Sequence, residues 1–138
     1  MMDFNKYQRW LVNEVKDLNP DPNQYKFERG QVVSFLYAPH KGSGMTANDM
    51  FVLMSAVEMR SHGKGMGVWG CNLFYIPGAG NRNALGKILL DPNKDNMEIV
   101  SDMYRNSVTR NAFKLYHRDS IKSPIMKLDD EQLKAVLI

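Results

Sequence analysis

Gly67-Val-Trp-Gly-Cys-Asn-Leu-Phe-Tyr-Ile-Pro77, followed by Asn81-Arg-Asn-Ala-Leu-Gly-Lys-Ile-Leu-Leu90, is the stretch on which the fold turns. The first part is apolar and aromatic and reads as a buried strand. Pro77 closes it, because proline has no N–H to give to a ladder. The second part reads as a short helix with Ala84, Leu85, Ile88 and Leu89 on one face. Upstream, Gln31-Val-Val-Ser-Phe-Leu-Tyr37 is β-branched and aromatic, the composition of a strand. Asp49 to Val57 is a second strand, apolar on both faces. Glu58 to Gly65 is expected to form a basic, glycine-rich tip, and Ala38 to Gly44 a loop.

Asp3 to Leu18 predicts an amphipathic helix, with Phe4, Tyr7, Leu11, Val15 and Leu18 at three- and four-residue steps. Asn19-Pro-Asp-Pro22 ends it. Downstream the pattern predicts helices over about 96–105 and 108–118. A capping box at Asp129-Asp-Glu-Gln132 opens a C-terminal helix through Leu133, Val136 and Leu137. The expected class is α+β: an antiparallel sheet or open barrel of about three to five strands, flanked by an N-terminal helix and C-terminal helices. Residues 1–22 are read as helix and linker, and 23–138 as a single α+β domain.

A chain of 138 residues, 43% hydrophobic and 24% charged, can bury a real core. No apolar run approaches the roughly 20 residues of a membrane-spanning helix. Met-Met-Asp-Phe-Asn-Lys lacks the basic-then-apolar pattern of a signal peptide. Cys71 is the single cysteine, which excludes an internal disulfide and a thiolate zinc cluster. Its apolar strand suggests a small buried hydrophobe, and a reducing place of synthesis fits. Net charge is +3, and the excess lies between residues 31 and 90, where Lys41, Arg60, Lys64, Arg82 and Lys87 face only Asp49 and Glu58.

Candidate chemistry is sparse. Gly63-Lys-Gly-Met-Gly67 has glycines that could cradle a phosphate, but they precede a strand, whereas a phosphate loop precedes a helix. His40, His62 and His117 show no ligand spacing, and neither Asp49 nor Glu58 pairs recognisably with them. No catalytic residue, metal ligand or cofactor is assigned. Arg110, Lys114, Arg118 and Lys122 recur every four residues; on one helix they would form a basic stripe able to follow a nucleic-acid backbone, or simply a solvated face. Lys64 joins them as a possible nucleic-acid contact. Ten methionines and the apolar terminus Ala-Val-Leu-Ile138 suggest burial against neighbours. Trp10, Leu11, Val15, Leu133, Val136 and Leu137 are the candidate partner-facing residues. Asn72, Pro77 and Arg82 are candidates for structural roles at the strand–helix corner, since an Asn in an apolar strand must find partners for its amide.

Several of these motifs together resemble one family. Gly30-x-x-x-Ser-Phe-x-Tyr37, Asp49-x-Phe-Val-Leu53, Gly70-Cys-Asn-Leu-Phe-Tyr-Ile-Pro77 and Arg82-x-x-Leu85 are similar to segments of small virion proteins of contractile-tailed bacteriophages. Phe113-Lys-Leu-Tyr-His-Arg-Asp-Ser-Ile-Lys-Ser123 and Leu128-Asp-Asp-Glu-Gln-Leu-Lys-Ala135 resemble later segments, so the likeness spans about residues 30–137. Members are labelled DNA end protectors or virion structural proteins. The resemblance implies a non-enzymatic virion component, made in the host cytoplasm and assembled with other phage proteins in the baseplate or tail. The alternative it implies is a nucleic-acid-binding protein of the neck that protects packaged DNA ends. In this chain Met50-Phe51 stands where the family has Pro-Leu, Phe74 where it has His, and Leu133 where it has Trp.

Overall fold

Helix α1, Phe4–Lys16, starts where Asp3 accepts a hydrogen bond from the Lys6 N–H at 2.8 Å, an N-cap that satisfies one of the helix's free donors. Its apolar stripe, Tyr7, Leu11 and Val15, is buried. The computed structural model describes residues 1–38, 46–63 and 65–138, without the side chain of His62. The expected loop over Ala38 to Gly44, His40, Lys41, Met45 and Lys64 therefore lie outside the described residues, Ala38 excepted.

Strand β1 is Gln31–Leu36, β2 Phe51–His62, β3 Gly65–Asn72, β4 Phe113–His117 and β5 Met126–Lys127. They form one antiparallel open sheet in the order β4-β3-β2-β1-β5. The first four strands are sequential neighbours, a meander. The chain then passes back to the far side of β1. There Tyr37 bridges Ile121, and the Lys122 N–H donates to the Leu36 carbonyl at 2.8 Å. The α+β expectation holds, with an open sheet rather than a barrel.

Three boundaries differ from expectation. The strand before Pro77 stops at Asn72, whose side chain accepts from the Phe74 N–H and turns Leu73–Tyr75 into a short 3-10 helix. The basic tip is largely strand: β2 runs to His62 and pairs with β3 through His62 and Gly65, with a register shift between Ala56 and Glu58. The helix expected over 108–118 is split. Asn106 caps a four-residue helix α4, Ser107–Arg110, and Phe113–His117 pairs with Gly67–Cys71 as β4. Val108, Ala112 and Leu115 fit a helical period, but the β3 edge offers Phe113 and Tyr116 a ladder and two apolar faces, and tertiary pairing overrides the local period.

Alternation along the strands sends side chains to two cores. On one face Val32, Leu53, Cys71 and Phe113 pack under α1 and three further helices: α2 Ala79–Leu89, α3 Asn96–Arg105 and α5 Asp130–Leu137. On the other, Val33, Phe35, Tyr37, Val52, Met54, Val68 and Tyr116 are covered with Tyr25, Phe27, Ile121 and Ile125. Burial on both faces explains the apolar run Phe51–Met54 that opens β2. The first helix packs on its own sheet: Phe4 and Tyr7 meet the Phe74 ring at 5.0 and 4.7 Å. The Tyr7 hydroxyl reaches Ser34 Oγ and the Val52 carbonyl (2.8 Å). α5 carries the expected capping box at Asp129 and Gln132, and Met2 donates to the Val136 carbonyl at 3.0 Å, joining the two ends of the chain.

Gly70 is fixed by close approach rather than by backbone angle. A Cβ there would lie 2.3 Å from the Ser55 carbonyl oxygen and 2.9 Å from Ala56 Cα. Both obstacles are backbone of β2, so the ladder itself would have to move. Gly70→Ala is expected to destabilise the fold by about 1–3 kcal/mol, read as a lower denaturation midpoint at unchanged slope. Gly80→Ala, with nothing within 4 Å of its Cβ, is the control and should not lower the midpoint.

Candidate functional site

Two constellations gather polar chemistry, one closed and one open. The closed one centres on Asp49, 3% exposed, at the end of the turn Ala47–Asp49 before β2. Its Oδ1 accepts from the Tyr116 hydroxyl at 2.6 Å. Its Oδ2 accepts from the Tyr75 hydroxyl and from the Thr46 N–H at 3.2 Å. Asn72 then donates its Nδ2 to Tyr116 Oη at 2.9 Å and to the Asn48 carbonyl at 3.0 Å. Thr46 Oγ1 stands 2.9 Å from the Tyr75 hydroxyl. Among the described residues no buried side-chain nitrogen or oxygen lacks a partner.

Burial, and then the hydrogen bond to Asp49, raise the Tyr75 and Tyr116 phenols above their ordinary value. Both are therefore neutral donors to a fixed carboxylate. Three of the roughly four acceptor positions of this carboxylate are taken by two phenols and an amide, so its hydrogen-bonding capacity is spent mainly on holding the fold. The cluster acts as a lock. It ties the segment before β2, the corner after β3, and β4 at one end of the sheet.

The open constellation is a cleft of about 260 Å³ between α3 and the helix-side face of β2, β3 and β4. Trp69, Tyr104 and Phe113 give it aromatic walls, Val57 and Val100 an apolar floor, and Arg60 and Arg105 flank it. The Arg60 guanidinium lies 4.5 Å from the Trp69 ring centre, and that of Arg110 5.4 Å from Tyr104, both within cation–π range. Glu58 joins Arg60 at 2.6 Å and Arg29 at 3.2 Å. The hydrogen bond from Arg60 is the largest influence holding the Glu58 carboxyl below its usual range. Tyr104 is 49% exposed and the Arg105 side chain 77%, so the cleft opens to solvent.

The residues singled out by sequence fall as follows. Asn72 is fully buried and does hold the strand–helix corner. The Pro77 carbonyl accepts from Asn81 Nδ2 at 2.7 Å, while Arg82 donates to the Ile76 carbonyl at 3.0 Å and covers the Phe74 ring. Leu11, Val15, Leu133, Val136 and Leu137 were expected to face partners. They are instead buried inside this chain, because α1 and α5 close the helix-side core. Trp10 is half-buried, 5.9 Å from the Tyr7 ring. The basic stripe is not a stripe. Arg110 in α4 donates to the Tyr104 and Arg105 carbonyls at the end of α3. Lys114 in β4 lies over the Tyr75 ring, Arg118 faces Tyr25, and Lys122 reaches the Asp119 carbonyl. Lys64 is outside the described residues.

Cys71 is buried, and burial pushes its thiol up to about 12, which removes the thiolate that reactivity requires. Among the described residues no group of three or more His, Cys, Asp or Glu could hold a metal ion, and no helix is long and apolar enough to cross a membrane. The chain matches no family model, no curated protein and no solved structure.

The lock makes two checkable demands. Asn72→Leu removes the buried bond to the Tyr116 hydroxyl and the part-buried bonds to the Asn48 carbonyl and the Phe74 N–H, and a buried group left unpaired costs roughly 1–3 kcal/mol. A clear fall in Tm at pH 7 is expected, and an unchanged Tm would count against the lock. The second demand concerns alkali. The folded phenols have raised pKa values, so their contribution is intact below the free phenol value of about 10. It is lost as pH climbs from there towards the folded values. Stability should therefore drop above about pH 10, and less steeply in Tyr116→Phe, which is already weaker at pH 7. Thermal melts across pH 7–11 measure both.

Proposed function

We propose that this chain is a non-enzymatic structural component of a tailed-phage virion, assembling with other subunits in the baseplate or tail. The supporting observation is where the family-like motifs go. Asp49, Asn72, Tyr75 and Tyr116 come from three separate motif segments and meet in one closed lock. Residues that carry a resemblance in this way specify a scaffold. A scaffold whose polar groups are spent on itself works through its outer shape.

That outer shape has an apolar face available for contact. Ile88 on α2 is 42% exposed and Val108 on α4 is 49% exposed. They flank a groove of about 270 Å³ whose lining includes Ile76, Ala84 and Leu85. Exposed aliphatic side chains around a groove gain about 25 cal/mol for each Å² a neighbour covers. Such contact is largely insensitive to salt, unlike a phosphate interface.

The test is incorporation. The protein should be found in purified virions, in a tail or baseplate fraction. Ile88→Asp with Val108→Asp should keep the isolated protein's Tm and abolish incorporation into particles. Lys114→Glu, Arg118→Glu and Lys122→Glu together should leave incorporation intact and DNA ends protected. Normal incorporation with lost protection in that triple variant would establish the DNA-end role instead.

A further inference from the structure

Resting on the assembly reading, we propose that the cleft between α3 and the β2–β3 hairpin, with the adjoining edge of β4, receives an extended acidic segment of a partner protein. An aromatic side chain of that segment would be its anchor.

Three independent features agree on this occupant. The cleft is roomy and apolar at its floor, with Trp69, Tyr104 and Phe113 as walls, a setting in which an aromatic side chain gains most from burial. Its rim is cationic. Arg29, Arg60, Arg105 and Arg110 gather at or beside it, against Glu58, Asp102 and the neighbouring Glu98. The third feature is the backbone. β4 is an outer strand. Asn72 N–H donates to the Ala112 carbonyl, and alternation in an antiparallel pair then turns the Leu115 N–H and C=O away from β3. Leu115 stands opposite Trp69 in the ladder, so this outward-facing donor–acceptor pair adjoins the cleft. The edge is short, because the His117 N–H already donates to the Tyr37 hydroxyl at 3.1 Å. It can register a peptide by a few main-chain bonds, and the cleft supplies the anchor.

Two rival occupants fit less well. A single-stranded nucleic acid needs open ring faces, yet Arg60 covers Trp69 and Arg110 covers Tyr104. Its backbone also offers phosphate acceptors to the Leu115 N–H but no donor to the Leu115 carbonyl. A second copy pairing β4 antiparallel with β4 would bring the Lys114 and Arg118 of both copies together along one seam, like charges side by side.

The experiment is selection of a random dodecapeptide library, displayed on yeast, against the full-length protein, followed by fluorescence anisotropy of an enriched peptide. The expected result is enrichment of sequences with an aromatic residue flanked by Asp or Glu. Arg105→Glu alters an exposed side chain and should keep the native Tm, Tyr104→Ser should leave the protein folded at the assay temperature, and each should weaken the enriched peptide at least tenfold. Ile88→Asp should bind it normally. Enrichment without acidic residues, no enrichment, or equal binding by Arg105→Glu and Tyr104→Ser would overturn the proposal. So would tighter binding of a dT oligonucleotide, or a concentration-dependent dimer that the peptide fails to disrupt. Particle incorporation tests the virion reading by itself, so a failed peptide selection with normal incorporation refutes this proposal alone.

Discussion

The buried Asp49 carboxylate is the constraint around which the rest is arranged. Removing a carboxylate from water costs several kcal/mol unless donors replace the solvent. Here the donors come from far along the chain: Tyr75, 26 residues away, and Tyr116, 67 residues away. Each charge-assisted bond contributes more than an ordinary one. The arrangement is satisfied only when the β2 start, the β3 end and β4 are all in place. Asn72 extends the demand by bonding Tyr116 and the Asn48 carbonyl while capping the turn at Phe74. The polar network therefore specifies one packing of the sheet end, where apolar burial alone would tolerate several.

The two cores supply the bulk of the stability. Tyr7, Leu11, Leu53 and Leu137 on one face and Phe35, Val52, Met54 and Val68 on the other have almost no exposed surface. Each such side chain contributes roughly 1.5–3 kcal/mol on burial. The helices on one face and the segments around Tyr25 and Ile121 on the other leave β2 covered on both sides. That burial demands a near-continuous apolar sequence and a glycine where β3 crowds against it.

Local signals were legible. The amphipathic helix beginning at Asp3, the Asn96–Arg105 helix and the Asp129–Gln132 capping box can be read because their signals lie within a few turns of chain. The α+β class was legible from the strand-like runs around Val33, Leu53 and Val68. The segment 108–118 was not, because Val108, Ala112 and Leu115 satisfy a helical period while Phe113 and Tyr116 satisfy a strand, and only the free edge of β3 decides. Of the lock, Asn72 was legible, since an amide in an apolar strand must be bonded. Asp49 and Tyr116 were not, because their partners are set by topology. The cleft was invisible for the same reason: Arg60, Trp69 and Tyr104 share no spacing. Leu133, Val136 and Leu137 were legible as an apolar face, but nothing local says whose surface covers that face.

This division bears on what the family resemblance can mean. The segments Gly30–Tyr37, Asp49–Leu53, Gly70–Pro77 and Phe113–Ser123 lie mostly inside: Phe35 and Tyr37 in one core, Leu53 and Leu73 in the other, and Asp49, Asn72, Tyr75 and Tyr116 in the lock between them. The cleft and the apolar groove draw partly on these motifs, through Phe113, Ile76 and Leu85, and partly on Arg60, Met97, Tyr104, Arg105, Ile88 and Val108, which lie outside them. Two chains that share the interior can thus share a scaffold while presenting different surfaces to different neighbours. Under the proposed virion role, such a division would leave the interior to hold the architecture and the surface to make the contacts. Under that proposal, the choice of neighbour would rest on the exposed arginines and aromatic rings of the cleft.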